Sequence, residues 1–168
     1  MNSPLTADRP SAIPGARHQM LTFILGDEDY GVDILRVQEI RGWSAVTKIP
    51  HAPQDVLGVL NLRGSVVPVV DLRLRFRLER VAYNAMTVII VLTVQSATGP
   101  HEVGMVVDGV KEVVDVDPAF LRPAPDLGVR QALKCVSGLL ANGERMVVLL
   151  DVDRLIGSST VEPNTPIS

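Results

Sequence analysis

The chain has 168 residues, 46% of them hydrophobic but only 4% aromatic, with 16 basic against 19 acidic side chains and a net charge of −3. A chain of this length can hide roughly 70% of its unfolded surface, so a core of Val, Leu and Ile is available, and the charge balance gives no general attraction to nucleic acid or anionic membrane. The single cysteine, Cys135, excludes an internal disulfide and a thiolate metal cluster and suits a reducing cytoplasm, while the longest apolar run, Met86 to Val94, is far short of the roughly 20 residues that cross a bilayer.

Residues 1–18, with Pro4, Pro10, Pro14 and Gly15, read as a disordered leader, and residues 157–168 as a flexible tail. Between them, short apolar segments separated by turn residues predict an all-β protein. The predicted strands are Met20 to Leu25, Tyr30 to Leu35, Val56 to Leu62, Ser65 to Val70, Met86 to Val94, Glu102 to Val107, Val110 to Val116, Val136 to Leu140 and Arg145 to Leu150. Turns fall at Gly26-Asp27, Arg63-Gly64, Asp108-Gly109 and Asn142-Gly143, where Asp-Gly and Asn-Gly tolerate the positive φ of tight hairpins. Pro68 cannot donate to a ladder, which predicts an edge strand or a bulge there. Short helical turns are expected at Asp71 to Leu78, Pro118 to Leu121 and Asp151 to Ile156.

An internal repeat organises these elements. The segment Gly31 to Ile40 aligns without gaps on Gly104 to Val113, matching Val37 with Val110 and Glu39 with Glu112. Gly58 precedes Asp71 by thirteen residues, and Gly138 precedes Asp151 by the same thirteen. Each pair brackets a strand, a glycine turn and a strongly apolar strand ending in Asp. Both matches occur in the same order, which predicts a duplicated β unit with two small related barrels.

Catalytic chemistry finds little support. His18 lies in the leader, His51 beside prolines and His101 beside Pro100, none with a partner at metal-ligand spacing. There is no Gly-x-Ser-x-Gly elbow and no phosphate-cradling glycine loop. Asp27, Glu28 and Asp29 read as a solvated hairpin tip, and Cys135 as a small buried filler. The alternation of Arg73, Arg75, Arg77 and Arg80 with Leu72, Leu74, Phe76 and Leu78 reads as a solvated face over a buried one. A basic stripe binding single-stranded nucleic acid is the alternative, and the scarcity of aromatics for stacking weighs against it. In the hairpin Gly58 to Ser65, Asn61 and Arg63 share the face opposite the apolar residues. Arg63 can fork hydrogen bonds to a partner's carboxylate or serve as an ordinary surface arginine, and Glu39 can contact a partner or an internal cation.

The stretches Leu21 to Gly42, Gly58 to Arg73 (GVLNLRGSVVPVVDLR), Val106-Val-Asp-Gly-Val110, Leu121-Arg-Pro-Ala-Pro125 and Gly138-Leu139 closely resemble the CheW chemotaxis coupling family, over about Met20 to Ile156. The resemblance implies two intertwined, pseudo-symmetric, five-stranded SH3-like barrels with a few short helical turns. It places a CheW-like domain at 19–156, with lobe one at about 20–82, lobe two at about 83–156, and termini free to exchange between lobes. It implies a non-enzymatic cytoplasmic adaptor without cofactor or metal, recruited to membrane receptor arrays without inserting in the membrane. Its partners would be the regulatory domain of a CheA-type histidine kinase and the cytoplasmic tip of methyl-accepting chemoreceptors, with no nucleic acid. Carried over by motif, Val37 and Gly58 become kinase-side positions, and Glu39, Asn61, Arg63, Gly104, Val110 and Val113 receptor-side positions. The segment Gln95 to Glu102 departs from the family as a longer loop.

Overall fold

The computed structural model describes residues 18–79, 82–124 and 134–157. The leader up to residue 17, the tail from residue 158 and Arg80 lie outside them. The described chain is all-β, and its eleven strands form two sheets. These are β1 (Gln19–Leu25), β2 (Glu28–Asp33), β3 (Val37–Gly42), β4 (Val56–Leu62), β5 (Ser65–Asp71), β6 (Val88–Ser96), β7 (Gly99–Val107), β8 (Gly109–Asp115), β9 (Leu121–Arg122), β10 (Val136–Asn142) and β11 (Arg145–Leu150). Two short helices, α1 (Leu72–Arg75) and α2 (Val152–Gly157), follow the two strands that end near Asp71 and Asp151.

The first sheet has the order β8-β1-β2-β11-β10-β9, and the second β3-β6-β7-β5-β4. The chain thus leaves the first sheet after β2, builds the whole second sheet, and returns. Alternation explains the layering, since successive side chains on a strand point to opposite faces. Phe23, Leu25 and Val32 of the first sheet meet Ile90, Leu92 and Met105 of the second in a shared core, which Leu155 and Ile156 of α2 close. The opposite faces bury smaller clusters, Val67, Val69, Ile89 and Val91 in the second sheet and Met20, Leu140, Val147 and Leu149 in the first.

The repeat seen in the sequence is also a repeat in space. In the second sheet β5 runs parallel to β7, with Val69 opposite Gly104. In the first sheet β11 runs parallel to β2, with Leu149 opposite Gly31. Leu149 lies the same step beyond Gly138 as Val69 lies beyond Gly58. The irregularity between Val56 and Gly58 recurs between Val136 and Gly138. The N–H of Asp71 donates to the Asp55 carbonyl at 2.8 Å, and that of Asp151 to the Cys135 carbonyl at 2.7 Å.

Several expectations are corrected. Pro68 is not on an edge strand: β5 pairs with β4 on one side and β7 on the other. Val59, opposite Pro68, exchanges both backbone bonds with Thr47, so Pro68 turns its missing donor toward β7, where the parallel ladder begins only at Val69. The bulge lies on the partner strand instead. The segment from Gln95 to Glu102 is strand except for Ala97 and Thr98, with Ser96 paired to Gly99. The Ser96 hydroxyl donates to the Gly99 carbonyl at 3.0 Å and tightens this turn. β3 was not anticipated as a strand, and His18 joins the sheet rather than the leader, its carbonyl accepting from the Val116 N–H at 2.8 Å.

Candidate protein-docking surface

β3 is an edge strand whose residues alternate between half-buried and exposed. One extra residue separates Val37 from Glu39 relative to the partners Leu92 and Val91 on β6, so the strand bulges. A bulge re-aims the side chains that follow it. The Glu39 carboxylate accepts from Arg63 Nη1 at 2.7 Å through one oxygen and from Arg41 Nη1 at 3.1 Å through the other. The Arg63 side chain is 65% exposed and that of Glu39 26%. The Arg63 guanidinium beside Glu39 holds this carboxyl below its ordinary value, with Arg41 adding to the effect. Both readings offered for Glu39 and Arg63 therefore meet in one object, an internal ion pair that lies open to solvent.

Arg63 reaches Glu39 from the β4–β5 turn, where its backbone takes a φ of 52°. Asn61 builds that turn, its Oδ1 accepting from the Gly64 N–H at 2.9 Å. Asn61 is exposed and stands in the same hairpin as Arg63.

Val37 follows the 3-10 turn Ile34–Arg36 and packs its side chain against the shared core. Arg36 fixes that turn, donating Nη1 to Asp153 Oδ1 at 2.8 Å, Nη2 to Asp153 Oδ2 at 2.7 Å and Nη1 to the Thr93 carbonyl at 3.0 Å. Leu35, on the turn so held, is 82% exposed. Gly58 is buried, with a φ of +152°, and a Cβ built on it would lie 2.1 Å from the Thr47 carbonyl oxygen. It permits the close approach that makes the Thr47–Val59 bridge rather than offering surface of its own. Gly104 is also buried, with Ile89 Cγ2 only 2.9 Å from a Cβ placed there.

Val110 and Val113 lie on β8, the edge of the first sheet; Val110 packs against the shared core and Val113 is exposed. The structure therefore brings Glu39, Asn61 and Arg63 together, keeps Val110 and Val113 on the other sheet, and buries Gly58 and Gly104. Sequence reasoning missed Arg41, Arg36 and Leu35. Arg41 had a signal, since it shares the alternation of Glu39 two residues away.

Several other charged residues are paired within the chain. Asp29 is not a solvated tip: at 3% exposure it accepts from Lys111 Nζ at 3.0 Å and from Arg145 Nε at 2.9 Å. Arg145 foremost, then Lys111, hold its carboxyl below the usual range against the opposing effect of burial. Arg73 and Arg75 do not form a solvated stripe. Arg73 pairs with Asp108 at 2.6 Å and Arg75 with Asp55 at 2.9 Å, all four side chains mostly covered. Burial pushes the Cys135 thiol up, the state of an unreactive core residue. Among the described residues no helix is long and apolar enough to cross a membrane.

The family model described as "CheW-like domain" matches residues 19–160. The chain is 46% identical over 140 residues to the chemotaxis protein CheW of Klebsiella aerogenes, covering 83% of this chain and 82% of that one. It is 37% identical over 144 residues to the chemotaxis protein CheW of Rhizobium meliloti, covering 86% of this chain and 90% of that one. Among solved structures, the crystal structure of the scaffolding protein TtCheW from Thermoanaerobacter tengcongensis superposes with a TM-score of 0.74 at 29% identity, over 83% of this chain and 92% of that one.

Proposed function

This chain belongs to the CheW-like domain family of chemotaxis scaffold proteins, and from that premise we propose that it couples transmembrane chemoreceptors to a CheA-type histidine kinase as a non-catalytic adaptor. In this reading residues 19–156 act as one docking module, drawn to receptor arrays at the membrane by its partners. The kinase's regulatory domain engages the surfaces around Val37 and around Gly58, whose backbone lies against Thr47. The receptor tip engages Glu39, Asn61 and Arg63, with Val110 and Val113 contributing from the other sheet and Gly104 acting through backbone position.

The observation that carries the reading is the Arg41–Glu39–Arg63 cluster, formed where edge strand β3 meets the exposed β4–β5 turn, next to a core-anchored turn that holds Leu35 in solvent. A charged cluster of this kind sets register and partner choice, while apolar residues beside it supply affinity. The pairing of Arg73 and Arg75 with carboxylates weighs against nucleic acid as the partner.

The test is a pull-down with the purified chain, offering the kinase regulatory domain and the receptor's cytoplasmic tip separately. Retention of both supports coupling; retention of neither overturns it.

A further inference from the structure

The two halves of the protein differ at one place where the pseudo-symmetry predicts likeness. Ile40 opposite Ile90 in the second sheet corresponds to Val113 opposite Leu21 in the first. Glu39 therefore corresponds to Glu112, and Arg41 to Val114. Leu62 opposite Ser65 corresponds to Asn142 opposite Arg145, so Arg63 corresponds to Gly143. The first sheet keeps the glutamate and loses both arginines that engage it in the second. Among the described residues no hydrogen bond or ion pair engages the Glu112 carboxylate.

Where those two arginines are missing, the surface is hollow. A groove of about 510 Å³ is lined by Val114, Asp115, Asp117, Phe120, Leu140 and Gly143, together with Ala141 and Asn142. Its floor is apolar, and the two titratable residues lining it are both acidic. Asp115 accepts from Gln19 Nε2 at 2.9 Å and Asp117 from the Ala119 N–H at 2.9 Å, so neither carries a cation. The nearby Arg122 turns its guanidinium to the carbonyls of Ala119 and Leu121 and does not line the groove.

We propose that this groove is a docking site for a partner polypeptide that presents an arginine flanked by apolar residues. The partner's guanidinium takes the place that Arg63 fills on the other sheet and faces Asp115 and Asp117, the two carboxylates of the lining. Val114, Phe120 and Leu140 receive the flanking apolar groups. Gly143, in place of an arginine, leaves the entrance open, with nothing within 4 Å of a Cβ placed on it. The planar fork of a guanidinium suits carboxylates better than an ammonium does.

The experiment is a backbone amide NMR titration of the full chain with the blocked tripeptide Leu-Arg-Leu and with its uncharged citrulline isostere. The expected result is saturable shifts at Val114 to Asp117 and at Asn142 and Gly143, with the citrulline peptide binding at least about tenfold more weakly. Gly143→Arg, which refills the site from within, is expected to abolish the response, and Gly143→Ala to keep it. Because Gly143→Arg must hold a φ near +67°, the variant Asp115→Asn, which removes a carboxylate of the lining, provides a second arm and is expected to weaken binding. Equal shifts with both peptides, or an undiminished response in both variants, would overturn the proposal.

Discussion

Glu39 and Arg63 stand at opposite edges of the five-stranded sheet, yet their side chains meet at 2.7 Å. β3 and β4 are separated by three strands in the hydrogen-bonding order, so the sheet curls until its two margins face each other. The Thr47–Val59 bridge ties β4 at backbone level to the segment that follows β3. The exposed pair is thus the side-chain end of a seam.

Arg63→Glu is expected to leave the fold intact, because the side chain is exposed and the backbone ladder does not use it. Binding to the receptor tip or the kinase domain should fall by about tenfold or more. The charge-swapped double variant Glu39→Arg, Arg63→Glu separates two causes. If it restores binding, the pair matters only as a seam; continued loss assigns a direct contact to Arg63. Isothermal titration with each partner reads the outcome, and unchanged affinity for both removes Arg63 from the surface.

Val37→Asp is expected to abolish co-elution with the kinase regulatory domain. Val37 is packed against the shared core, so the buried carboxylate also costs about 1–3 kcal/mol of stability. Circular dichroism must show a folded protein before the result is read, and Val37→Ala serves as the uncharged control. Undisturbed co-elution of a folded Val37→Asp protein contradicts the assignment.

Gly58→Ala is expected to destabilise by about 2–4 kcal/mol in urea denaturation, since the new Cβ collides with the Thr47 carbonyl and the backbone is in a region suited to glycine. Gly64→Ala, at a turn with open space around it, should cost less. If the two variants are equally stable, Gly58 does not set the close approach of Thr47 to β4.

Asp29→Asn is expected to cost about 1–3 kcal/mol near neutral pH by removing charged bonds to Arg145 and Lys111. The native carboxyl titrates below its unfolded value, so its contribution is complete above about pH 4 and is lost as the pH falls through the folded value. Parent and variant should therefore converge in stability toward acid. Asp153, lowered by Arg36, behaves in the same sense and remains in both proteins. A stability gap that stays constant down to pH 2 would exclude the ion pairs as its cause.

Most strands were legible because apolar alternation and glycine turns are local signals. The duplication was legible because two spacings recur in order. β3 escaped because Val37-Gln-Glu-Ile-Arg-Gly is an edge strand that turns Glu39 and Arg41 to its half-buried face and Ile40 to solvent, so it shows no apolar alternation. Asp29 was misread because its cations, Lys111 and Arg145, are far away along the chain. Arg73 was misread for the same reason, since Asp108 reaches it only once β7 ends beside α1. Of the proposed surface residues, the sequence singled out Glu39, Asn61 and Arg63 but could not show that the first and last touch.

The return of the chain to its first sheet has a consequence for synthesis. β2 and β11 pair in parallel although Asp29 and Val147 are contributed by opposite ends of the protein. During translation β1 and β2 must therefore wait, with one margin of β2 unmatched, until the last strand leaves the ribosome. Release before Arg145 to Leu150 is made would leave β2 without its partner and a sticky strand edge exposed.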